Sequence, residues 1–256
     1  MSMESVASPV HPSSEDRMTS PAEVTVVIPT YNEVDNLESI SAAARAHGYQ
    51  VLIVDDGSPD GTGDLADALS SGDAGFSVLH RSEKAGLGTA YAAGFAIALD
   101  HGARVLCEMD ADFSHDPGDL PRLVAAIDKG ADLAIGSRYV RGGGTEDWPW
   151  YRQAISRAGN DYAALMLDLD VADTTAGFRA YTAEAIKELD PSSCDASGYA
   201  FQVEMTWRAH EAGLQITEVP IRFRDRELGH SKMSAGIAVE AMMLITMWGW
   251  KRRFGG

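Results

Sequence analysis

The sequence predicts an α/β fold, a mostly parallel sheet wound with helices on both faces. Three observations lead there. Residues 24 to 140 alternate strand-like and helix-like segments without a break, the pattern that sets parallel strands side by side with helical crossovers. The strand-like segments are continuous apolar runs, as expected when both faces are covered. Three of them end in polar motifs, PTYNE, VDDGSPDG and MDADFSH, at the carboxyl ends where such sheets bind ligands.

The elements follow in order. VTVVIP, residues 24 to 29, is a buried β-branched strand. The next segment places Leu37, Ile40 and Ala44 three and four apart and stops at Gly48, a helix. YQVLIVDDGS reads as a second strand, DGTGDLADALSSG as a short helix and FSVLH as a third strand. A Gly-punctuated helix, GLGTAYAAGFAIALDHG, precedes RVLCEMDAD, read as a fourth strand running through its acids. PGDLPRLVAAIDKG is a helix with Pro near its start, and ADLAIGSRY a fifth strand. Beyond residue 140 come a Gly-rich loop, a helix over roughly 150 to 168, two or three short strands and a C-terminal helix.

The ends differ from the body. Residues 1–22 read as a disordered leader, rich in Ser, Pro and charge and without the basic start and apolar core of a signal peptide. Residues 23–235 form the main domain, and residues 236–256 an apolar helix with a basic tail. The run GIAVEAMMLITMWGW contains Glu240 and falls short of the ~20 residues needed to span a bilayer. Two roles are open for it: a core helix, or an interfacial helix with Trp248 and Trp250 at headgroup depth and Lys251, Arg252 and Arg253 toward anionic lipid. A net charge of −17 argues against a nucleic-acid partner. Yet Arg222 to Arg253 carries a local +4, which suits an anionic surface or substrate at that end. Two distant cysteines, Cys107 and Cys194, imply no disulfide framework and a cytoplasmic setting.

The stretch EMDADFSHDP carries the most chemistry. On an extended strand Glu108, Asp110 and Asp112 would share a face and repel. No Lys or Arg lies between Arg104 and Arg122, so a divalent cation is the expected partner. Oxygen ligands without His or Cys clustering favour Mg2+ or Mn2+, and Mg2+ bound by one or two carboxylates commonly also binds substrate phosphates. The plainer reading is that these acids cap the helix beginning at Asp116-Pro117; His115 is read as part of that cap. VDDGSPDGT is equally a turn or a nucleotide contact through Asp56, and Tyr31 in IPTYNE could cover a base. Arg138 and Arg152 have guanidinium forks suited to phosphate.

These motifs, in this order, resemble the family-2, GT-A fold glycosyltransferases, and within them the polyprenol (dolichol)-phosphate mannose synthases. The resemblance runs from about Val24 to Lys232 and rests on VVIPTYNE, IVDDGSPDGT, KAGLGTAY, MDADFSHDP, IGSRYVRGG, WPWYRQAISR, DTTAGFRAY and FRDRELGHSK. It implies a Rossmann-like GT-A sheet. Pro29, Tyr31, Glu33, Val54, Asp56, Lys84 and Ala111 would meet the sugar nucleotide, and Asp110 and Asp112 the metal and diphosphate. Ser114 stands where some relatives carry a metal-ligating Gln, a shorter and weaker ligand. Arg138, Arg152 and Ser156 would take the acceptor phosphate, with Arg226 and Lys232 gripping phosphates beside them.

The reaction so implied transfers mannose from GDP-mannose to a polyprenyl phosphate, with inversion and with Mg2+ or Mn2+. The phosphate nucleophile has a second pKa of about 6 and needs no protein base. Two alternatives stand beside it: a UDP-sugar donor carrying glucose or an aminosugar, and a nucleotide-sugar-binding regulator without turnover. The expected setting is peripheral, on the cytoplasmic face of a membrane, with room for an integral-membrane partner protein.

Overall fold

The computed structural model describes residues 18–196, 198–225 and 235–254; Arg226 and Lys232 lie outside the described residues. Strands β1 (Val24–Thr30), β2 (Gln50–Asp55), β3 (Phe76–His80), β4 (Val105–Glu108) and β5 (Leu133–Ser137) appear where the apolar runs predict them. Between them lie α1 (Val34–Arg45), α2 (Thr62–Gly72), α3 (Leu87–Asp100) and α4 (Leu120–Asp128). Helix α1 ends as expected, with Gly48 at φ +82°, a conformation a side chain would resist. Residues 18–22, assigned to the leader from sequence, lie against the body: Thr19 donates to Asp128 Oδ1 through its N–H at 3.0 Å and its hydroxyl at 2.6 Å.

The second half holds a β6 (Gly144–Thr145) and β9 (Arg222–Phe223) pair, α5 (Trp150–Leu167), β7 (Arg179–Thr182), α6 (Ala183–Leu189), α7 (Tyr199–Glu211), β8 (Ile216–Pro220) and α8 (Ala235–Phe254). The main sheet runs in the order β3-β2-β1-β4-β7-β5-β8. Here two expectations are corrected. The fourth and fifth strands are not neighbours, because β7 lies antiparallel between them, pairing Glu108 with Arg179 on one side and Ile135 with Arg179 on the other. The fourth strand also stops at Glu108. Phe113 then adopts φ +58°, and Asp112 Oδ1 accepts from Ser114 N at 3.0 Å. Asp110 and Asp112 therefore sit in a turn beyond the strand, and only Glu108 stays on it.

Alternation along the strands feeds two cores. Val27, Val54, Leu106 and Tyr181 face α3, α5, α7 and α8, while Val26, Ile53, Cys107 and Ala180 face α1, α2 and α4. Helix α8 buries one face against the body and exposes apolar side chains on another. Trp248 is 2% exposed and stacks on Trp207 at 5.6 Å, while Met243 and Trp250 are 67% and 66% exposed. At its basic end Arg252 pairs with Asp168 at 2.9 Å and Glu211 at 3.2 Å.

Close packing of α3 on the sheet depends on a missing side chain. A Cβ at Gly94 would lie 2.5 Å from Val27 Cγ1 and 3.1 Å from Val54 Cγ2, whereas one at Gly159, on exposed α5, would touch nothing. We expect Gly94→Ala to cost about 1–3 kcal/mol through overpacking. Gly159→Ala should instead stabilise by about 0.5–1 kcal/mol through helix propensity. Urea unfolding of the two variants checks the opposite signs.

Candidate active site at the carboxyl rim of the sheet

The carboxyl ends of β1, β2, β4 and β5 open on one edge, and antiparallel β7 starts from that same edge. On the β1–β2 side, Asp56 N–H donates to Thr30 O at 3.0 Å. Its side chain is 6% exposed and accepts from Arg81 Nη1 at 2.9 Å. Burial pushes the Asp56 carboxyl above its ordinary range, against the lowering field of Arg81. Arg81 reaches on to Thr89 Oγ1 at 2.9 Å; sequence reasoning missed it, although it stands directly after β3. The turn reading of VDDGSPDGT also holds: Gly57 and Gly61 have φ of +70° and +93°, and Asp55 accepts from Ser58 N and Oγ.

Other candidates gather nearby. Lys84 Nζ lies 4.3 Å from the centroid of the Tyr31 ring, a cation–π contact on the rim. Glu33 N–H donates to Thr62 Oγ1 at 3.0 Å, its carboxylate accepts from Asn36, and its carbonyl opens α1. Pro29 pairs with Val54 at the ends of β1 and β2. Val54 is 0% exposed and its side chain packs in the core beneath the rim.

The three acids separate. Asp110 is half-buried and accepts from Tyr91 OH at 3.3 Å. Asp112, Ala111 and Ser114 are buried. Glu108 is 0% exposed and its Oε2 accepts from Gln202 Nε2 at 2.6 Å. Burial pushes the Glu108 carboxyl up to about 7, opposed first by the Arg179 guanidinium and then by the Gln202 hydrogen bond. The lowering field at Glu108 comes from Arg179, its partner across the β4–β7 ladder, a cation that the expectation of one ion for all three acids did not include. Sequence distance hid this partner, which arrives only through the β4–β7 register.

Asp110 and Asp112 remain as a two-carboxylate rim with Ser114 behind them. Among the described residues no group of three or more His, Cys, Asp or Glu is arranged to hold a metal. Two hard oxygen donors suit Mg2+ or Mn2+ that takes its other ligands from substrate phosphate and water. His115 corrects another expectation. It is 3% exposed, stacked on Phe178 at 5.0 Å and edge-on to Phe223 at 5.2 Å. The cap of the following turn is Asp116, whose Oδ1 accepts from Gly118 N at 2.8 Å.

Across the rim, beyond β5, arginines and aromatic rings interleave. Arg138 donates through Nε and Nη2 to the two oxygens of fully buried Asp173 at 2.7 and 2.6 Å, and through Nη2 to Thr175 Oγ1 at 2.9 Å. That edge of the fork meets a protein carboxylate, not open space. Arg152 pairs with Asp225 at 2.8 Å and lies 4.1 Å over the Trp148 ring. Ser156 accepts from Tyr139 OH at 2.6 Å. Arg138, Arg152 and Ser156 thus form one cluster, as expected. Asn160 stitches α5 to the loop before β7, accepting from Thr174 Oγ1 at 2.9 Å and Thr175 N at 3.2 Å.

The chain matches the model of Glycosyl transferase family 2 over residues 25–190. It is 51% identical over 233 residues to a polyprenol monophosphomannose synthase of Mycolicibacterium smegmatis, covering 89% of this chain and 87% of that one. It is 49% identical over 235 residues to an undecaprenyl-phosphate mannosyltransferase of Micrococcus luteus, covering 91% and 96%. The fold is also that of glucosyl-3-phosphoglycerate synthase from Mycobacterium tuberculosis, solved with Mn2+, UDP and glucosyl-3-phosphoglycerate. The TM-score is 0.64 at 21% identity, over 91% of this chain and 80% of that one. The α/β architecture is accordingly GT-A, with a mostly parallel sheet.

The buried Glu108 supplies a test of the rim's electrostatics. Its folded-state carboxyl, at about 7 against an ordinary 4.5, holds its proton more strongly than the unfolded chain does. Its contribution therefore favours folding at low pH and is lost as pH climbs through that interval. We expect Glu108→Gln, in chelator-treated protein, to gain stability relative to the parent across the interval, by about 1–3 kcal/mol, and to level off above it. Urea unfolding of both proteins across that pH range measures the difference.

Proposed function

We propose that this chain, which belongs to glycosyl transferase family 2, is a polyprenyl-phosphate mannosyltransferase. It carries mannose from GDP-mannose to the phosphate of a polyprenyl phosphate with inversion and releases GDP. The observation that carries the reading is half-identity, over about nine tenths of the chain, to two proteins both named for mannosyl transfer to this acceptor class.

The geometry fits that reaction. A sugar nucleotide lying along the β1–β2 rim would find Tyr31, Glu33 and Asp56 at its nucleoside end. Asp110 and Asp112, backed by Ser114, would hold Mg2+ or Mn2+, which supplies positive charge for the departing diphosphate. Tyr91 fixes the Asp110 carboxylate from below. The cluster of Arg138, Arg152 and Ser156 would receive the acceptor phosphate, and the family resemblance adds Arg226 and Lys232, which lie outside the described residues. That phosphate is largely dianionic at neutral pH, its second pKa being about 6. It can attack without a protein base, and His115, packed between two rings, does not occupy a base's position. Catalysis is then positioning and charge stabilisation.

The acceptor's tail assigns the protein to the cytoplasmic face of a membrane as a peripheral protein, alone or beside an integral-membrane partner. None of the described helices is long and apolar enough to cross a bilayer. Exposed Met242, Met243, Trp250 and Phe254 on α8 and Trp150, Tyr151 and Ile155 on α5 offer apolar surface instead.

Transfer of labelled sugar from GDP-mannose or UDP-glucose to undecaprenyl phosphate, with and without EDTA, tests the reaction. We expect mannose alone to move, chelation to stop it, and Asp112→Ala to lower the rate roughly a thousandfold or more. Transfer only from UDP-glucose would remove the mannose assignment, binding of GDP-mannose without turnover would make the chain a regulator, and full activity in EDTA would remove the metal. For the membrane assignment, Met243→Asp with Trp250→Asp should weaken co-sedimentation with phosphatidylglycerol vesicles by roughly tenfold or more and leave the fold intact.

A further inference from the structure

We infer that Arg157 is a further acceptor-phosphate residue, a third guanidinium beside Arg138 and Arg152. The inference rests on the polyprenyl-phosphate reading and extends it to a residue that sequence reasoning passed over. Arg157 is exposed on the first half of α5, directly after Ser156. Its guanidinium carbon lies 5.1 Å from the Tyr139 ring centroid, and that of Arg138 lies 5.2 Å from the same centroid. The ring cannot swing away freely, because its hydroxyl donates to Ser156 Oγ at 2.6 Å. Two cations therefore flank one pinned ring.

Charge neutralisation separates the members of this cluster. Arg138 is answered by Asp173 and Arg152 by Asp225. Arg157 makes no ion pair among the described residues, although Asp161 stands one turn along α5. In a chain of 38 acids and 21 Lys and Arg, an arginine held at a cationic cluster without a carboxylate leaves a local positive field. A phosphate monoester is the ligand class that neutralises it, and guanidinium matches its oxygens. Trp148, whose ring lies 4.1 Å from Arg152 and 5.6 Å from Arg138, also keeps its indole N–H buried without an acceptor among the described residues. The cluster is thus rich in donors relative to the acceptors the protein provides.

Arg157→Gln and Arg157→Lys, with Lys187→Gln on distant α6 as a matched loss of charge, test the assignment in neutral detergent. We expect Arg157→Gln to raise the KM for undecaprenyl phosphate by roughly tenfold or more, with kcat and the donor KM unchanged. Arg157→Lys should recover part of the loss, and Lys187→Gln should behave as the parent. Calorimetry with geranyl phosphate, against geraniol as the uncharged control, reads the same site without any donor. Arg157-dependent binding of geranyl phosphate supports the assignment even if mannose transfer itself fails, so the two readings fall separately. A parental acceptor KM in Arg157→Gln, or no binding of geranyl phosphate by the parent, overturns it. A defect seen only with phosphatidylglycerol vesicles also overturns it, and makes Arg157 a contact for bilayer headgroups.

Discussion

A buried cation facing a buried carboxylate across the β4–β7 ladder organises the molecule. Arg179 is 0% exposed, as is Glu108 opposite it. Burying a charge is strongly unfavourable, and burial accordingly pushes the Glu108 carboxyl up to about 7 despite the opposing field of Arg179. Hydrogen bonds to other groups hold each side chain. Arg179 spends its donors on the carbonyls of Thr174 and Ala176, on Thr206 Oγ1 and on Tyr181 OH. Glu108 takes the Gln202 amide. Strand β7 is short, and this polar interior is what gives its antiparallel insertion a defined register.

That pair also joins the two halves of the rim. On one side Glu108 leads by two residues into Asp110, steadied by Tyr91. On the other, the carbonyls gripped by Arg179 belong to the loop that carries Asp173 and Thr175, which in turn hold Arg138. Asp173 is itself oriented by Glu218, which accepts from its N–H at 3.0 Å. The carboxylates suited to a metal and the arginines suited to a phosphate are thus two ends of one hydrogen-bonded structure. Such preorganisation is what an electrostatic mechanism requires, because the charges must already be placed when the reactants arrive.

Much of this is legible in the amino-acid sequence alone. Continuous β-branched runs mark β1, β2 and β4, and the polar motifs at their ends locate the rim, because side-chain periodicity and strand polarity are local properties. What stays hidden is non-local. RAYT, a four-residue strand buried on both faces, carries no periodicity of its own, so its wedge between β4 and β5 leaves no trace. Arg179, Arg81 and Asp173 do not stand out as partners for the same reason. His115 misleads because residue type suggests chemistry, while packing against Phe178 and Phe223 decides what its ring touches. The D-x-D turn misleads in geometry: the strand stops at Glu108, and left-handed Phe113 lies within the turn that follows.

Helix α8 crosses α5 where Gly249 faces the carbonyl of Met166, close enough that a Cβ there would approach it to 2.7 Å. Tyr162 and Thr246 lock the same crossing through their hydroxyls at 2.6 Å. The two helices consequently form one stiff bracket, with the arginine-bearing turns of α5 at one end and the apolar stripe of α8 along the other arm. Were the stripe to rest on a surface, the bracket would set the altitude and tilt of those arginines relative to it. An amphiphile anchored in that surface would be met at a fixed height, so its headgroup could be engaged while its tail stayed where it was.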